Sequence, residues 1–285
     1  MKKILVVDIK KLREEFKKPH YIIKASDGID LFLRAWEPIK KSNIAILIFH
    51  GITAYSGPYE IMGPQFSKIG YNVYGLDLRG HGLSDGIRGD YPSKERLILD
   101  LGETIQFIKN KHKSLILFGH SLGVVSAIIA LNNFKKDVDG LILLSAAREV
   151  RPNVYPKLSF VKKLKIVFSS LIKPSKPVIS YQREGMLGLD DPLFNFKYTL
   201  RFMKIFSVAS ATFISDLTIP VILGVGENDE LFSVDAARSL FEEIPSKNKK
   251  FIVLPGAKHA VFPDGAFKEL IDWLTSNFEL KQEGE

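Results

Sequence analysis

The sequence has no cysteine among its 285 residues. This absence excludes disulfide bonds, thiolate nucleophiles and zinc sites built on cysteine. A chain without cysteine is compatible with a reducing compartment, and we expect a cytoplasmic protein. The rest of the composition, 46% hydrophobic and 25% charged, is typical of a globular protein with enough apolar residues for one large core.

The sequence also lacks a long hydrophobic run. No stretch approaches the roughly 18 uncharged apolar residues that indicate a membrane-spanning helix. The apolar run at residues 4–7 ends at Asp8 and is too short for the core of a signal peptide. We therefore expect no transmembrane segment, and at most peripheral contact with a membrane.

Acidic residues are scarce in one region of the chain. The formal net charge is +8, and residues 151–189 contain eight basic side chains against one acid, Glu184. Apolar residues are interleaved with these lysines and arginines, which predicts either a solvated basic face or a surface that contacts anionic lipid. The charge does not indicate nucleic-acid binding, since no nucleic-acid-binding motif accompanies it.

Strand patterns alternate with helix patterns, which predicts an α/β fold with a mostly parallel sheet covered on both faces. The run at 44–49 is apolar throughout, as expected of a strand buried on both faces. Ser93 is the expected N-cap of a helix over 93–111. The first strands should pair antiparallel at one edge. Other strands are predicted at 29–37, 71–77, 114–119, 140–144, 220–225 and 250–254, and other helices at 122–134, 233–244 and 266–278.

The segment 150–212 interrupts this alternation. It contains five prolines, is too long for a simple loop, and has enough apolar residues for two or three short helices. We predict a core formed by residues 1–149 and 213–285, with 150–212 as an insertion.

The stretch Gly119-His120-Ser121-Leu122-Gly123 lies where a predicted strand meets a predicted helix. A serine in such a turn presents its hydroxyl at the carboxyl end of the sheet, beside a helix N-terminus that favours developing negative charge. The two glycines allow the strand and the helix to approach closely. The pattern predicts Ser121 as a nucleophile, whereas an N-cap role for the serine would not explain both glycines.

A nucleophilic serine needs a base, and the chain order Ser, Asp, His of such sites requires a late histidine. His259 lies in the loop after the last predicted strand, at the sheet edge where Ser121 is expected. Asp229 follows the preceding strand and is the expected carboxylate partner. The nearby alternatives are Glu227, Glu230 and Asp235.

The oxyanion of an acyl-transfer intermediate needs two backbone N–H donors. The first is assigned to Leu122, directly after the nucleophile. The second is assigned to Ile52, in the loop after the strand that ends at His50-Gly51. We expect His50 itself to be structural.

Together these motifs resemble the α/β-hydrolase superfamily, and within it the monoacylglycerol lipase and lysophospholipase-like serine hydrolases. The matching pieces are His50-Gly51-Ile52, Ser56-Gly57-Pro58-Tyr59, Asp77 to Gly86, Gly119 to Gly123, Gly226 to Asp229 and Gly256 to His259. The resemblance implies an eight-stranded α/β-hydrolase sheet, a Ser121–Asp229–His259 triad and an oxyanion hole at Ile52 and Leu122. It also implies a helical cap at 150–212 and no metal or organic cofactor. One departure is Val124, where many relatives have glycine.

The resemblance further implies an acyl-binding tunnel beneath the cap. Candidate residues for its apolar wall are Leu158, Phe168, Leu171, Met186, Leu187, Leu193, Phe194 and Phe202. The simpler alternative is that these side chains only pack the cap onto the core.

The expected activity is hydrolysis of a single-acyl lipid ester, above all a monoacylglycerol, through an acyl-enzyme. Alternatives on the same triad are a lysophospholipase, a medium-chain carboxylesterase, a carbon–carbon bond hydrolase or a perhydrolase. A non-catalytic hydrolase-like binding protein is an alternative of another class.

Overall fold

A computed structural model describes residues 8–40, 42–152, 154, 159–182, 186–208 and 211–280. Leu158, one of the candidate wall residues, lies outside the described residues, as do the charged residues Lys157, Arg183 and Glu184.

The described chain alternates strands and helices. The strands are β1 (His20–Lys24), β2 (Asp30–Trp36), β3 (Ile44–Phe49), β4 (Asn72–Leu76), β5 (Ser114–His120), β6 (Gly140–Leu144), β7 (Ile179–Ser180), β8 (Lys197–Tyr198), β9 (Val221–Gly226) and β10 (Lys249–Leu254). The α-helices are α1 (Ile9–Glu15), α2 (Gly63–Lys68), α3 (Lys94–Lys109), α4 (Gly123–Asn133), α5 (Phe160–Ile172), α6 (Leu200–Ile205), α7 (Val234–Glu242) and α8 (Lys268–Asn277). Two 3₁₀ helices span Gly57–Ile61 and Lys135–Asp137.

Eight strands form one sheet in the order β1-β2-β4-β3-β5-β6-β9-β10. The pairs β1–β2 and β2–β4 are antiparallel, and the other pairs are parallel. The α/β-hydrolase fold with a mostly parallel eight-stranded sheet is thus confirmed, including the antiparallel pairing at one edge. Parallel strands that end level place their following loops along one edge of the sheet.

Side chains of the central strands alternate between two apolar layers. In β3, Ala45, Leu47 and Phe49 belong to the larger core cluster, while Ile44, Ile46 and Ile48 belong to the second cluster on the opposite face. Helices α3, α4 and α7 cover the first face, and α2 and α8 cover the second. The continuous apolar run of β3 is therefore explained by burial on both faces.

Helix α3 begins where the sequence predicts. The Ser93 side chain accepts a hydrogen bond from the Arg96 amide at 3.1 Å, which satisfies one of the free N–H groups of the first turn. Its buried face includes Leu97, Leu101 and Ile108. Cap and apolar periodicity together fix this helix against the sheet.

The segment 150–212 has two unlike parts. Tyr198, Phe202 and Phe206 are buried in the larger core cluster, so the later part is joined to the core. All thirteen residues of α5 are described, and none of them is buried. The predicted short helices are present as α5 and α6, but a small antiparallel pair, β7–β8, lies between them. The division into core and cap stays a prediction.

Within the described ranges, no helix is long and apolar enough to cross a membrane.

Candidate active site

Ser121 occupies a tight turn between β5 and α4. Its φ is 53°, a left-handed conformation that is uncommon for residues other than glycine. The Ser121 amide donates to the Leu144 carbonyl at 2.9 Å, and its carbonyl accepts from the Val124 amide at 3.1 Å. Both backbone groups are satisfied, and the neighbouring strand β6 helps to hold the strained residue in place.

The flanking glycines are required by close backbone contacts. A Cβ at residue 119 would lie 2.6 Å from Val124 Cα, and a Cβ at residue 123 would lie 2.0 Å from the Phe49 carbonyl oxygen. Leu122, not Ser121, is the N-cap residue of α4. The structure therefore excludes the N-cap explanation for the serine, whose hydroxyl faces another partner.

That partner is His259, in the loop after β10. Its Nε2 lies 2.9 Å from Ser121 Oγ, and its Nδ1 lies 3.0 Å from Asp229 Oδ2. An ionised carboxylate only accepts hydrogen bonds, so Nδ1 carries the proton and Nε2 is free to accept from the serine hydroxyl. The three groups have the order and spacing of a nucleophile, a general base and an orienting acid.

Asp229 is held as an ion. Burial by itself raises the pKa of this carboxyl, but the hydrogen bonds from His259 and from the Leu231 and Phe232 amides outweigh burial, and the pKa is lowered. The two amides donate to Oδ1 at 2.8 and 2.9 Å. A permanently charged carboxylate can stabilise the imidazolium that forms when His259 takes a proton.

The alternative acids have other partners. Glu227 accepts from the Gly256 amide at 2.8 Å, and Glu230 accepts from the His259 amide at 3.0 Å. Asp235 lies in the first turn of α7, as an acid that complements the helix dipole does. Of the four candidates, the structure brings the Asp229 carboxylate to the His259 ring.

The two assigned oxyanion donors are placed beside the serine. Among the described residues, the Ile52 and Leu122 amides have no hydrogen-bond acceptor, and both residues line a cavity next to Ser121. The loop comes close, since a Cβ on Gly51 would lie 3.2 Å from Ser121 Cβ. Two amides free to donate beside a nucleophile suit the charge of a tetrahedral intermediate.

His50 orients the peptide that carries the Ile52 N–H. Its Nδ1 donates to the Gly51 carbonyl at 2.9 Å, and its Nε2 accepts from the Leu78 amide at 3.2 Å. The Gly51 carbonyl and the Ile52 N–H belong to one planar trans peptide and point in opposite directions. Holding the carbonyl on one side directs the N–H to the other.

His120 has a role that the sequence did not suggest. Its Nε2 donates to the His259 carbonyl at 2.9 Å, which leaves Nδ1 to accept from the Tyr59 hydroxyl at 2.8 Å. The same hydroxyl accepts from the Gly51 amide at 2.9 Å. A continuous chain of hydrogen bonds thus joins the loop of the oxyanion donor to the loop of the base.

Two cavities meet at Ser121. The larger, about 450 Å³, is also lined by His259, Asn228 and Glu230. The smaller, about 110 Å³, is lined mainly by apolar residues of α4 and of the segment after β6. Tyr181, for which the sequence gave no signal, borders both cavities.

The candidate wall residues divide into two groups. Met186, Leu187 and Phe194 line the larger cavity. The other described candidates, Phe168, Leu171, Leu193 and Phe202, line neither cavity as the described residues form them.

For these four residues the prediction is corrected. Phe168 and Leu171 are exposed on α5, and Phe202 is buried in the core against His81 and Tyr198. Leu193 instead contributes its carbonyl as the acceptor of a hydrogen bond from Arg88. A list of apolar residues in one segment does not reveal which of them face a cavity.

The arrangement suits acyl transfer. No group of histidine, aspartate and glutamate side chains able to hold a metal ion occurs in the described part of the chain. The chemistry that the residues themselves offer is attack by Ser121 on a carbonyl carbon, proton transfer through His259, and stabilisation of the oxyanion by two amides.

Known proteins resemble this chain in sequence and in fold. The family model described as "Serine aminopeptidase, S33" matches residues 40–265. The chain is 24% identical over 269 residues to the monoacylglycerol lipase of Mycolicibacterium smegmatis, covering 87% of this chain and 92% of that protein. It is 25% identical over 261 residues to the monoglyceride lipase of Rattus norvegicus, covering 85% and 83%. The fold is similar to the crystal structure of Paleococcus ferrophilus monoacylglycerol lipase, with a TM-score of 0.69, 24% identity, and coverage of 87% of this chain and 99% of that chain.

Replacing Asp229 by asparagine tests the assignment of the acid. Asp229→Asn keeps an oxygen for the Leu231 and Phe232 amides but removes the charge beside His259, and it favours the wrong tautomer of the ring. We expect kcat for an activated ester to fall by about 10⁴-fold with little change in the thermal midpoint. Asp235→Asn, on α7, is the matched control. Equal activity of the two variants would contradict the assignment.

Because His120 is buried and neutral, we expect the folded protein to lose stability in acid. Burial, with the nearby His259, lowers its pKa from 6.5 to about 3, so the folded protein keeps it neutral. The unfolded chain binds this proton at higher pH, so the stabilisation is complete above pH 6.5 and is lost as the pH falls towards 3.

His120→Gln keeps one donor and one acceptor but cannot be protonated. We expect its free energy of unfolding, measured by urea titration at several pH values, to fall less steeply with acid than that of the wild type. Between pH 6.5 and 3 the slopes should differ by up to about 1.4 kcal/mol per pH unit, the contribution of one titrating group. A residual slope is expected, because burial also lowers the pKa of His50 and His81. Parallel curves for wild type and variant would refute the buried neutral state.

Proposed function

Because this chain belongs to the α/β-hydrolase family described as serine aminopeptidase, S33, and is therefore a hydrolase, we propose that it is a serine carboxylester hydrolase acting on single-acyl lipid esters, with monoacylglycerols as the preferred substrates. The observation that carries the proposal is the hydrogen-bonded series Ser121, His259 and Asp229 at the junction of two cavities with apolar walls. The names of the mycobacterial and rat relatives support the choice of a glyceride.

In the proposed mechanism, Ser121 Oγ attacks the ester carbonyl carbon while His259 Nε2 takes the hydroxyl proton. The negative charge on the former carbonyl oxygen is stabilised by the Ile52 and Leu122 amides. The C–O bond to glycerol breaks as the imidazolium returns the proton to the leaving oxygen. Water then attacks the acyl-enzyme with His259 again as base, which releases the fatty acid and restores Ser121.

The position of His259 supports an assignment of the two cavities to the two parts of the substrate. The leaving oxygen must face Nε2 to receive its proton, and His259 lines the larger cavity. The alcohol part should therefore lie there, close to Asn228 and Glu230, whose polar atoms suit hydroxyl groups. The acyl chain would then enter the smaller cavity, which both oxyanion residues line. Met186, Leu187 and Phe194, expected from the sequence to line an acyl tunnel, would instead lie on the alcohol side.

The smaller cavity suits a hydrocarbon chain. Its wall is mainly apolar, and the charged residue in it, Arg148, is paired with Glu243 at 2.6 Å and donates to the Val208 and Ala211 carbonyls. Val150 lines this cavity and is 40% exposed, which supports an opening to the surface beside it. The first carbons of the acyl chain would lie inside, and the rest of a longer chain would leave past Val150.

The test is hydrolysis of p-nitrophenyl esters from acetate to palmitate, together with 1-monoacylglycerols, lysophosphatidylcholine and an aminoacyl p-nitroanilide. We expect the highest kcat/KM for medium or long acyl esters, cleavage of the monoacylglycerols, and loss of all activity in Ser121→Ala. A preference for acetate, with the glycerides untouched, would leave an esterase but refute the lipid substrate. Preferential cleavage of the lysophospholipid or of the anilide would indicate a lysophospholipase or a peptidase.

A matched pair of variants checks the cavity assignment in the same assay. Ala147→Leu places a larger side chain in the wall of the smaller cavity and so reduces its free volume. Turnover of long acyl esters should fall far more than turnover of acetate. Ala260→Leu makes the same change in the larger cavity and should leave the acyl-length profile unaltered. If Ala260→Leu instead impaired the long acyl esters and Ala147→Leu did not, the acyl chain would lie in the larger cavity and the alcohol in the smaller one.

Helix α5 presents its apolar side to solvent. At about 100° per residue, seven apolar side chains form one stripe about 140° wide. They are between 48% and 75% exposed: Phe160, Val161, Leu164, Val167, Phe168, Leu171 and Ile172. Ile166, Ser169 and Ser170, on the opposite side, are half-buried. This orientation contradicts, for Phe168 and Leu171, the simpler expectation that they pack the cap onto the core.

We also propose that this stripe lies on anionic lipid surfaces, as a peripheral contact in the cytoplasm. Lys163 and Lys165 flank the stripe on its two sides, and Lys173 follows the helix, so positive charges lie beside the apolar side chains, where lipid phosphates would be. Part of the lining of the larger cavity is itself exposed and apolar, at Leu187 and Val261. An enzyme with a lipid substrate benefits from binding the surface that holds it.

Sedimentation with lipid vesicles tests the contact. Wild type should bind vesicles that contain phosphatidylglycerol more tightly than pure phosphatidylcholine vesicles, and salt should weaken the binding. Leu164→Asp should reduce the affinity by about 10-fold or more, since the charge replaces an apolar group at the interface. Leu99→Asp, at an equally exposed position of α3, is the matched control. Equal binding by both variants would refute the role of α5.

A further inference from the structure

Thr53 has an unusual backbone conformation next to an assigned oxyanion donor. Its φ is 68°, in the left-handed region that a β-branched residue rarely adopts. It is buried, and it directly follows Ile52 in the loop after β3. A strained residue of this kind persists only where its surroundings hold it.

Two residues of the segment 150–212 hold both backbone groups of Thr53. The Thr53 amide donates to the Tyr198 hydroxyl at 2.7 Å, and the Thr53 carbonyl accepts from the Asn195 amide at 2.9 Å. The Tyr198 hydroxyl in turn donates to the Asn195 carbonyl at 3.0 Å. These three hydrogen bonds form a closed set, which we call the Thr53 clamp (Thr53, Asn195 and Tyr198).

The clamp is fixed to the core, not to the exposed helix α5. The Asn195 side chain donates to the Gly80 carbonyl at 2.6 Å, and the Thr199 hydroxyl donates to Asp90 at 2.7 Å. The Tyr198 ring is fully buried and stacks on His81 with centroids 5.9 Å apart. Thr53 is therefore hydrogen-bonded to a part of the insertion that is itself buried and bonded to the core.

We propose that Tyr198 and Asn195 are positioning residues of the oxyanion hole. The inference rests on the proposed function, in which Ile52 donates to the oxyanion. His50 fixes the peptide before Ile52, through the Gly51 carbonyl, and the clamp fixes the peptide after it, through the Thr53 amide. With both neighbouring peptide planes held, the Ile52 N–H keeps its direction without reorganisation during the reaction, which gives such donors their effect.

Tyr198→Phe removes the hydroxyl and leaves the ring. Loss of a whole oxyanion donor lowers kcat by about 10²–10³-fold, so a misdirected one should lower it by at least about 10-fold. KM should stay within about 2-fold, because Tyr198 lies outside both cavity linings. The affinity for an alkyl boronic acid, whose tetrahedral adduct with serine places an oxygen in the oxyanion hole, should fall by the same factor as kcat.

Tyr71→Phe is the matched control. Tyr71 is equally buried, and its hydroxyl donates to a backbone carbonyl, that of Phe278, at 3.0 Å. This variant also loses one buried hydroxyl, so it should show any general effect on stability while keeping kcat and the boronic acid affinity unchanged. Equal behaviour of the two variants would overturn the inference.

p-Nitrophenyl acetate is the substrate for this test, so that its outcome is independent of the lipid preference. Activity on acetate without cleavage of monoacylglycerols would refute the proposed substrate and leave the clamp testable. Full kcat in Tyr198→Phe would refute the clamp and leave the proposed function standing.

Hydrogen exchange of the wild-type protein adds a measurement that needs no variant. The Thr53 amide should exchange slowly, as a buried and hydrogen-bonded amide does. Exchange as fast as that of an exposed loop would also overturn the inference.

Discussion

The backbones of β5 and α4 approach each other so closely at Ser121 that a side chain at residue 119 would overlap main-chain atoms of α4, just as one at residue 123 would overlap main-chain atoms at the end of β3. This contact forces the turn between them into a left-handed conformation and exposes the serine hydroxyl. It also leaves the Leu122 amide, beside the serine, without an acceptor among the described residues. The proposed nucleophile and one proposed oxyanion donor therefore lie at the same close contact, and the other groups of the candidate site are arranged around it.

The register of the sheet places those other groups. Phe49 pairs with Gly119, and Leu254 pairs with Gly226, so the strands before Ile52, Ser121, Asp229 and His259 all end at one edge. Tyr59 and His120 then connect the loops by hydrogen bonds. Because both side chains are buried, water does not compete for these bonds. Because burial keeps His120 neutral, this connection adds no positive charge beside the imidazole that must accept a proton.

Much of this could be predicted from local sequence. The apolar runs located the central strands, Ser93 located the start of α3, and the spacing after each strand selected the residues that the structure brings together at Ser121. The Thr53 clamp could not be predicted in this way, because its partners are 145 residues apart and no short motif joins them. The orientation of the apolar side of α5 could not be predicted either. An amphipathic pattern shows that a helix has an apolar side but not whether that side faces the core or the solvent.

Helix α5 contributes no buried residue to the fold, so its sequence is nearly free of the packing constraints that limit core positions. If α5 contacts lipid as proposed, substitutions there would change the lipid surface that the protein prefers and leave Ser121, His259 and Asp229 in place. In evolutionary terms, the surface preference of such a helix can change independently of the chemistry. The thirteen positions of α5 are therefore open to substitution that the buried core and the Ser121–His259–Asp229 series do not restrict.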